Sequence, residues 1–290
     1  MSARVSAIVL NWCKETDTAA CLDSLGASHY DALDVLLVDN GSPDGSGDRL
    51  HERFPSVDYL QTGTNLGYAG GNNRGIERAL DVGAEYLLIL NNDTVVDADC
   101  VANLVRASES AAAPVVAPLI LYFDEPERVW YGGGGFSRLR ALGKHRFENR
   151  LADHAQTRSA TTFVCGCCFL IRSDVIRRVG GFDESFFAYV EDVELSLRLS
   201  KAGVSMLYEP AARVLHRVGR HDVGSPFQIR QRDRNRRRLV RRHYDAVSRL
   251  GFALWFYPTR FIHLLRYSAR RDWSRARAIV DGAVGRLDAR

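Results

Sequence analysis

The chain has 290 residues, 46% hydrophobic and 26% charged, which describes an ordinary globular protein of one large or two small domains with a sizeable core. Its net charge of +4 hides an asymmetry, because residues 213–290 hold 20 basic and 6 acidic side chains, a surplus of +14 that leaves −10 on the other 212. The six cysteines are scattered or adjacent and a chain of this size needs no staples, so a disulfide framework is excluded and a reduced compartment, the cytoplasm, is expected.

Residues 5–10 form an apolar run that suits a first buried strand, and the single early Arg4 before it is not the pattern of a secretory signal. Asn11 and Trp12 open a loop, and residues 16–25 have helical spacing. Residues 35–38 predict a second strand, which ends in Asp39-Asn40-Gly41-Ser42-Pro43-Asp44-Gly45-Ser46, a loop of turn formers before another helix. Residues 57–61 predict a third strand, followed by Thr64-Asn65-Leu66-Gly67-Tyr68-Ala69-Gly70-Gly71-Asn72-Asn73-Arg74-Gly75 and a helix to about residue 80. The fourth strand, Tyr86-Leu87-Leu88-Ile89-Leu90, runs into Asn91-Asn92-Asp93-Thr94. Strand, polar loop and helix thus repeat four times, which predicts an α/β fold with a doubly wound, mostly parallel sheet whose ligands gather outside the carboxyl ends of the strands.

After Pro114 the period changes. Residues 115–121 predict a strand, and the segment from Trp130-Tyr131-Gly132-Gly133-Gly134-Gly135 to about residue 161 is expected to be an irregular, mobile surface region over a site. Residues 162–171 return to strand character, and residues 173–181 form a short helix closed by glycine. Cys165-Gly166-Cys167-Cys168 lacks the second ligand pair of a zinc site and reads as small core residues. Residues 193–202 predict an amphipathic helix, and 204–208 and 213–215 two short strands. A helical, basic extension, residues 226–290, follows the main domain, residues 1–225. In it residues 234–242 are expected as a solvated basic face and Phe252, Leu254, Trp255, Phe256, Phe261, Leu264 and Leu265 as apolar surface. Residues 250–265 come nearest to a membrane span, yet Pro258, Arg260 and His263 interrupt them; peripheral contact of residues 250–290 with the inner face of a membrane is expected instead.

The chemistry sits in the loops. Asp93, just past a buried strand, is placed to hold a hard divalent cation, Mg²⁺ or Mn²⁺, and through it a diphosphate. Asp39, past the second strand, is placed to meet a nucleotide's base or ribose. His216 follows a strand and offers a nitrogen ligand to the same ion. Glu191-Asp192 opens a helix beside Phe186, Phe187 and Tyr189, whose rings supply a dry setting and a stacking face for a sugar. A hydroxyl is a poor nucleophile until a base takes its proton, a step worth about 10²- to 10⁴-fold, and burial or a like charge tunes a carboxylate for it. Asp192 is the expected base, with Glu191 positioning the acceptor.

The motifs Val38-Asp39-Asn40-Gly41-Ser42, Asn65-Leu66-Gly67-Tyr68-Ala69-Gly70-Gly71-Asn72-Asn73, Leu90-Asn91-Asn92-Asp93 and Gly180-Gly181-Phe182-Asp183-Glu184-Ser185-Phe186-Phe187-Ala188-Tyr189-Val190-Glu191-Asp192 together resemble the family 2 glycosyltransferases, in their rhamnosyltransferase-like branch. The resemblance covers about residues 3–245. It implies a GT-A fold, a nucleotide-diphosphate sugar donor with dTDP-L-rhamnose as the best guess, Mg²⁺ or Mn²⁺, and inverting transfer to a hydroxyl of a glycan or lipid-linked acceptor in polysaccharide biosynthesis. By motif position it implies Asp192 as base, Glu191, Tyr189 and Phe187 on the acceptor side, Asn11, Asp39, Asn65, Gly67, Asn73, Arg74 and Asn92 on the donor side, and Asp93 and His216 on the metal. Arg74 and Arg234 are candidate phosphate partners. Asn91 departs from the pattern, since many relatives have an aspartate there. Asn235 and Arg236 continue an Arg-Asn-Arg run that also resembles the branch, without a role that spacing assigns.

Three other readings compete. A dehydrogenase would carry its glycine fingerprint after the first strand, whereas this loop follows the third. A sugar nucleotidyltransferase would need a triphosphate loop where Asn11-Trp12-Cys13-Lys14 stands. A non-catalytic binder of nucleotide sugars or anionic surfaces would account for the arginine run, but no stacking module for nucleic acid accompanies it.

Overall fold

The structure, a computed structural model, describes residues 2–218 and 224–285. Strand, loop and helix alternate at first: β1 (Val5–Asn11), α1 (Glu15–Gly26), β2 (Leu33–Asp39), α2 (Ser46–Arg53), β3 (Asp58–Gln61), α3 (Gly67–Asp81) and β4 (Tyr86–Asn91). β1 runs parallel to β2 and to β4, and β2 parallel to β3, in a register that sets Asn11 beside Asp39 and Leu10 beside Asn91. These strands therefore deliver their carboxyl ends to one rim. Leu87, Leu88, Ile89 and Leu90 are fully buried, as an unbroken apolar run requires when both faces of a sheet are covered. α3 approaches this layer closely because Gly75 faces Ile8, where a Cβ would stand 2.4 Å from the isoleucine side chain.

The remaining elements are β5 (Thr94–Val96), α4 (Cys100–Ser110), β6 (Val115–Tyr122), β7 (Val129–Tyr131), β8 (Gly134–Ser137), β9 (Leu142–His145), β10 (Ser159–Thr161), β11 (Cys168–Arg172), α5 (Ser173–Val179), α6 (Glu191–Lys201), β12 (Met206–His216), α7 (Pro226–His243), α8 (Ala246–Ala269) and α9 (Trp273–Val284). The main sheet has the order β10-β12-β6-β11-β4-β1-β2-β3, with β5 on β12 and β7 on β6. β11 enters antiparallel between β4 and β6, so the second half of the sheet is mixed.

Several local expectations change. Segment 130–161, expected to be irregular, carries the hairpin of β8 and β9 and the edge strand β10. Of residues 162–171 only the part from Cys168 onward is strand, because the preceding turn bends to meet α6. The two strands expected over 204–215 are one, β12, with a bulge between Glu209 and Arg213.

The largest correction concerns the arginine run. Arg234, Asn235, Arg236 and Arg238 are at most 8% exposed, so this face of α7 is interior rather than solvated, although Arg241 and Arg242 stay exposed. Leu239, Val240 and Tyr244, together with Phe252 and Phe256 of α8, belong to the same hydrophobic cluster as the sheet. The helical extension thus shares the core. Phe252 and Phe256 leave the expected apolar surface, while Leu254, Phe261 and Leu265 remain on it. All six cysteines are free thiols, and all but Cys13 are buried. Among the described residues no helix is long and apolar enough to cross a membrane, and residues 286–290 of the expected surface segment lie outside them.

Candidate active site

Strand pairing brings Asp93 to His216. The β12–β5 ladder sets His216 opposite Thr94, and the Arg217 N–H donates to the Asp93 carbonyl at 2.8 Å, so the two side chains share one corner of the rim. His216 Nε2 stands 3.2 Å from Asp93 Oδ1. Adjacent ligands of one octahedral Mg²⁺ lie at about that spacing, roughly 3 Å. The contact does not have hydrogen-bond alignment, and Asp93 Oδ1 is buried with no hydrogen-bond partner among the described residues. Buried polar atoms without partners are costly, and a carboxylate oxygen with an imidazole nitrogen suits Mg²⁺ or Mn²⁺ completed by phosphate oxygens. With no third His, Cys, Asp or Glu beside them among the described residues, Asp93 and His216 fit such an ion only with phosphate and water oxygens completing its shell.

The acid pair opens α6. Asp192 Oδ2 accepts the Gly166 N–H at 3.0 Å and Oδ1 accepts the Val193 N–H at 2.8 Å. Burial lifts the Asp192 carboxyl above the ordinary range, against the pull of these amides and of nearby His145. Burial and then the adjacent Asp192 charge drive Glu191 well above its ordinary value, and its Oε2 is buried without a hydrogen-bond partner among the described residues. Two such neighbours do not ionise together. Asp192, held by two N–H donors, is the one able to carry the charge.

The turn Cys165-Gly166-Cys167 ties the two halves together. Its Gly166 N–H meets Asp192, and its Cys167 carbonyl accepts the Asn91 N–H at 2.8 Å, two residues before Asp93. On the other flank Asn92 donates to Thr18 Oγ1 at 2.8 Å, Thr18 to Asn11 Oδ1 at 2.9 Å, and Asn11 to Asp39 Oδ1 at 2.8 Å. Asp39, Asp93 and Asp192 therefore lie along one bonded rim. Asp39 itself is fully buried and also receives Ser42 at 2.5 Å and Gln61 at 2.6 Å, so it is the hub that shapes its loop rather than an open carboxylate.

The other expected residues divide. Asn65 accepts from Asn40 and from the Gly67 N–H, which fixes the loop next to the end of β2. Gly67 has φ +74°, and a Cβ there would stand 2.5 Å from both the ring and the carbonyl of Phe187, so only glycine lets this loop touch the acid-bearing segment. Phe187 and Tyr189 gather with Phe227, ring centroids 6.4 and 6.3 Å away. Asn73 and Arg74, expected on the donor side, are engaged elsewhere. Asn73 both accepts from the N–H and donates to the carbonyl of Phe182 at 2.8 Å, and Arg74 pairs with Glu77 and Glu184, so they clamp α3 to the segment before α6. Arg234 lines a cleft of about 500 Å³ with Asn65, Phe187, Arg238 and Arg242.

Two residues of the site carry no motif. Trp130 stands edge-on between His216, 4.4 Å away, and His145, 4.6 Å away. Burial holds the His145 imidazole below its ordinary pKa, against the pull of the Trp130 carbonyl 3.0 Å from its Nδ1 and of the Asp192 charge. A lone histidine in a mixed segment gives no spacing signal; the glycine run after Tyr131, expected to lie over a site, was the nearest clue.

Comparison with known proteins agrees with this arrangement. Residues 6–180 match the family model described as "Glycosyl transferase family 2". The chain is 34% identical over 224 residues to the N-acetylglucosaminyl-diphospho-decaprenol L-rhamnosyltransferase of Mycobacterium tuberculosis, covering 70% of this chain and 72% of the relative. It is 27% identical over 192 residues to the rhamnosyltransferase WbbL of Escherichia coli, covering 62% and 70%. Among solved structures, mannosyltransferase PcManGT from Pyrobaculum calidifontis in complex with GDP-Man and Mn²⁺ superposes with a TM-score of 0.61 at 17% identity, covering 98% of this chain and 86% of that one. GalNAc-T7 with UDP, GalNAc and Mn²⁺ gives a TM-score of 0.68 at 18% identity over 84% of this chain, which spans about half, 48%, of that structure. With a GT-A sheet, a helical C-terminal segment and the ordered motifs on one rim, the chain belongs to glycosyltransferase family 2, in its rhamnosyltransferase-like branch.

Proposed function

We propose that this glycosyltransferase moves L-rhamnose from dTDP-L-rhamnose to a hydroxyl of a lipid-linked glycan, with inversion at the anomeric carbon. The observation that carries the reading is the Cys165-Gly166-Cys167 turn, which bonds Asp192 at one end and the strand leading to Asp93 at the other. That link supports reading Asp192 as the base and Asp93 with His216 as the pair that would hold the metal. The choice of sugar and acceptor is supported by two relatives named as rhamnosyltransferases, one of them acting, by its name, on a diphospho-decaprenol substrate.

The reaction is one displacement. The acceptor hydroxyl attacks the anomeric carbon opposite the leaving nucleoside diphosphate while Asp192 takes its proton, its raised pKa matching it to that task. Glu191, Tyr189 and Phe187 orient the acceptor, the rings offering a stacking face. Asn11, Asp39, Asn65, Gly67 and Asn92 shape the donor side, and Arg234 faces the cleft beside it. Asp93 and His216 would hold Mg²⁺ or Mn²⁺, which when bound offsets charge on the departing diphosphate. Positioning supplies much of the remaining acceleration.

A thermal-shift panel of nucleotide sugars with and without Mn²⁺ tests the donor, since a ligand of the native state alone raises its stability. dTDP-L-rhamnose is expected to give the largest shift, and NMR of the product the opposite anomer to the donor. A retained anomer, or preference for a UDP- or GDP-sugar, would overturn the corresponding part.

A further inference from the structure

α8 presents an unpartnered apolar stripe. Val247, Leu250, Leu254, Tyr257, Phe261 and Leu265 recur at three- and four-residue steps, the spacing of one helix face, and each is between 46% and 81% exposed. Ile262 and Pro258 are exposed beside them. A contiguous patch of this kind on a globular chain marks an interaction surface. The opposite face is built into the protein, with Phe252 and Phe256 buried and Arg260 turned inward onto Asp233.

The charges identify the occupant. α8 contains no acidic residue, and its exposed Arg266 stands at the C-terminal end of the stripe with exposed Arg270 and Arg271 just beyond, while Arg249 at the other end turns its guanidinium onto the Arg241 carbonyl at 2.7 Å. A second copy laid on this face would find no carboxylate along the stripe to pair with these arginines, Asp245 and Asp272 lying only at its ends and held by Ser248 and Arg275. An anionic bilayer instead takes the apolar residues among its acyl chains and the arginines at its headgroups. Trp273, 65% exposed at the start of α9, adds an aromatic ring suited to headgroup depth. The surplus of +14 in the sequence of residues 213–290 favours an anionic partner over a cationic one.

We propose that α8 lies in the plane of an anionic lipid surface, with the stripe from Val247 to Leu265 submerged and Arg266, Arg270 and Arg271 on phosphates. This goes beyond the transfer reading and does not depend on it, since lipid without any glycan is the probe.

The full chain is sedimented with vesicles of phosphatidylcholine alone or with roughly one-third phosphatidylglycerol. Wild type is expected to bind the anionic vesicles at least ~10-fold more tightly, and the Leu254→Glu/Phe261→Glu variant to lose ~10-fold or more. Thermal melting confirms that the variant folds, and Arg266→Gln/Arg270→Gln, which leaves the stripe intact, is expected to lose affinity for anionic vesicles only. Equal binding by the glutamate variant would overturn the proposal. So would light scattering that shows a wild-type dimer, dissolved by the glutamate pair, with no vesicle binding.

Discussion

The side-chain amide of Asn235, on α7, lies 2.8 Å from the carbonyl of Tyr189, just ahead of Glu191 and Asp192. The same nitrogen meets the carbonyls of Phe186 at 2.5 Å and Ala188 at 2.9 Å, so two amide hydrogens serve three acceptors. The segment it holds is strained. Phe187, Tyr189 and Val190 have φ of 54°, 68° and 76°, in the left-handed region that costs non-glycine residues about 1–3 kcal/mol each. Asn235→Ala strands these carbonyls, a loss of about 1–3 kcal/mol, and Asn235→Asp turns a carboxylate on them and is expected to be worse. Both should lower kcat more than donor affinity; kinetics together with urea melts read the two effects. An Asn235→Asp protein with wild-type turnover would remove the positioning role.

Asp192→Asn keeps the shape of the side chain but removes the basic oxygen. Turnover is expected to fall about 10²- to 10⁴-fold while donor affinity stays within a few-fold. Calorimetry with the donor and product assays on an acceptor separate the two quantities. Comparable turnover by the variant would defeat the base assignment.

Glu191 gives a pH dependence whose sign can be worked out. A carboxyl with a raised folded-state pKa stabilises the fold below its unfolded value, about 4.3, and that contribution is lost as pH rises through the folded value. Glu191→Gln has nothing to ionise, so its thermal midpoint should exceed that of wild type increasingly as pH climbs from 5 toward 8, on the order of a few degrees. Catalysis runs the other way, because Asp192 must be ionised. The acid limb of kcat/KM should therefore lie above the ordinary aspartate range. Parallel melting curves for the two proteins across that range would show that the buried acid is not destabilising.

Much of this was legible in the chain. Alternation of apolar runs and turn-rich loops marks β1, β2 and β4 because buried parallel strands have little polar face to disguise them, and Asp93 and His216 stand out as polar residues at strand ends. What stayed hidden depends on distant partners. Arginine at positions 236 and 238 looks solvated by composition, and only the placement of Asp233 beside the first and of the Ser185 carbonyl beside the second makes them interior. Asn73 resembles a ligand residue until Phe182 is seen to occupy both ends of its amide. Trp130 reaches the site through the pairing of β7 with β6 and His145 through the β8–β9 hairpin, and no local pattern announces either pairing.

The pair Asp93 and His216 can be examined without any turnover. Trp130 packs 4.4 Å from the His216 ring, so paramagnetic Mn²⁺ held there should quench its fluorescence. Trp130→Phe is expected to lose that part of the signal, and Asp93→Ala and His216→Ala to shift the Mn²⁺ titration to higher concentration. Excess chelator should restore the emission and abolish metal-dependent donor stabilisation. Quenching that persists unchanged in Asp93→Ala would place the ion elsewhere.

A last prediction concerns the interior of the C-terminal helices. Asp233 is fully buried and binds Arg236 at 3.0 Å and Arg260 through both oxygens at 2.9 and 3.0 Å. Arg236 also donates to the Arg140 carbonyl at 2.8 Å and lies 4.8 Å from the centre of the Phe256 ring. Burial pulls its pKa down to about 10, while the Asp233 charge opposes that fall. Asp233→Ala leaves two guanidinium groups uncompensated in an apolar setting, a loss of about 3–5 kcal/mol. The urea midpoint should drop with little change in slope. Replacing all three residues at once with apolar side chains of similar volume is expected to restore part of that loss, because no charge then remains to be solvated. If Asp233→Ala alone costs less than about 1 kcal/mol, water reaches the guanidinium groups and the triad is not the lock between α7 and α8.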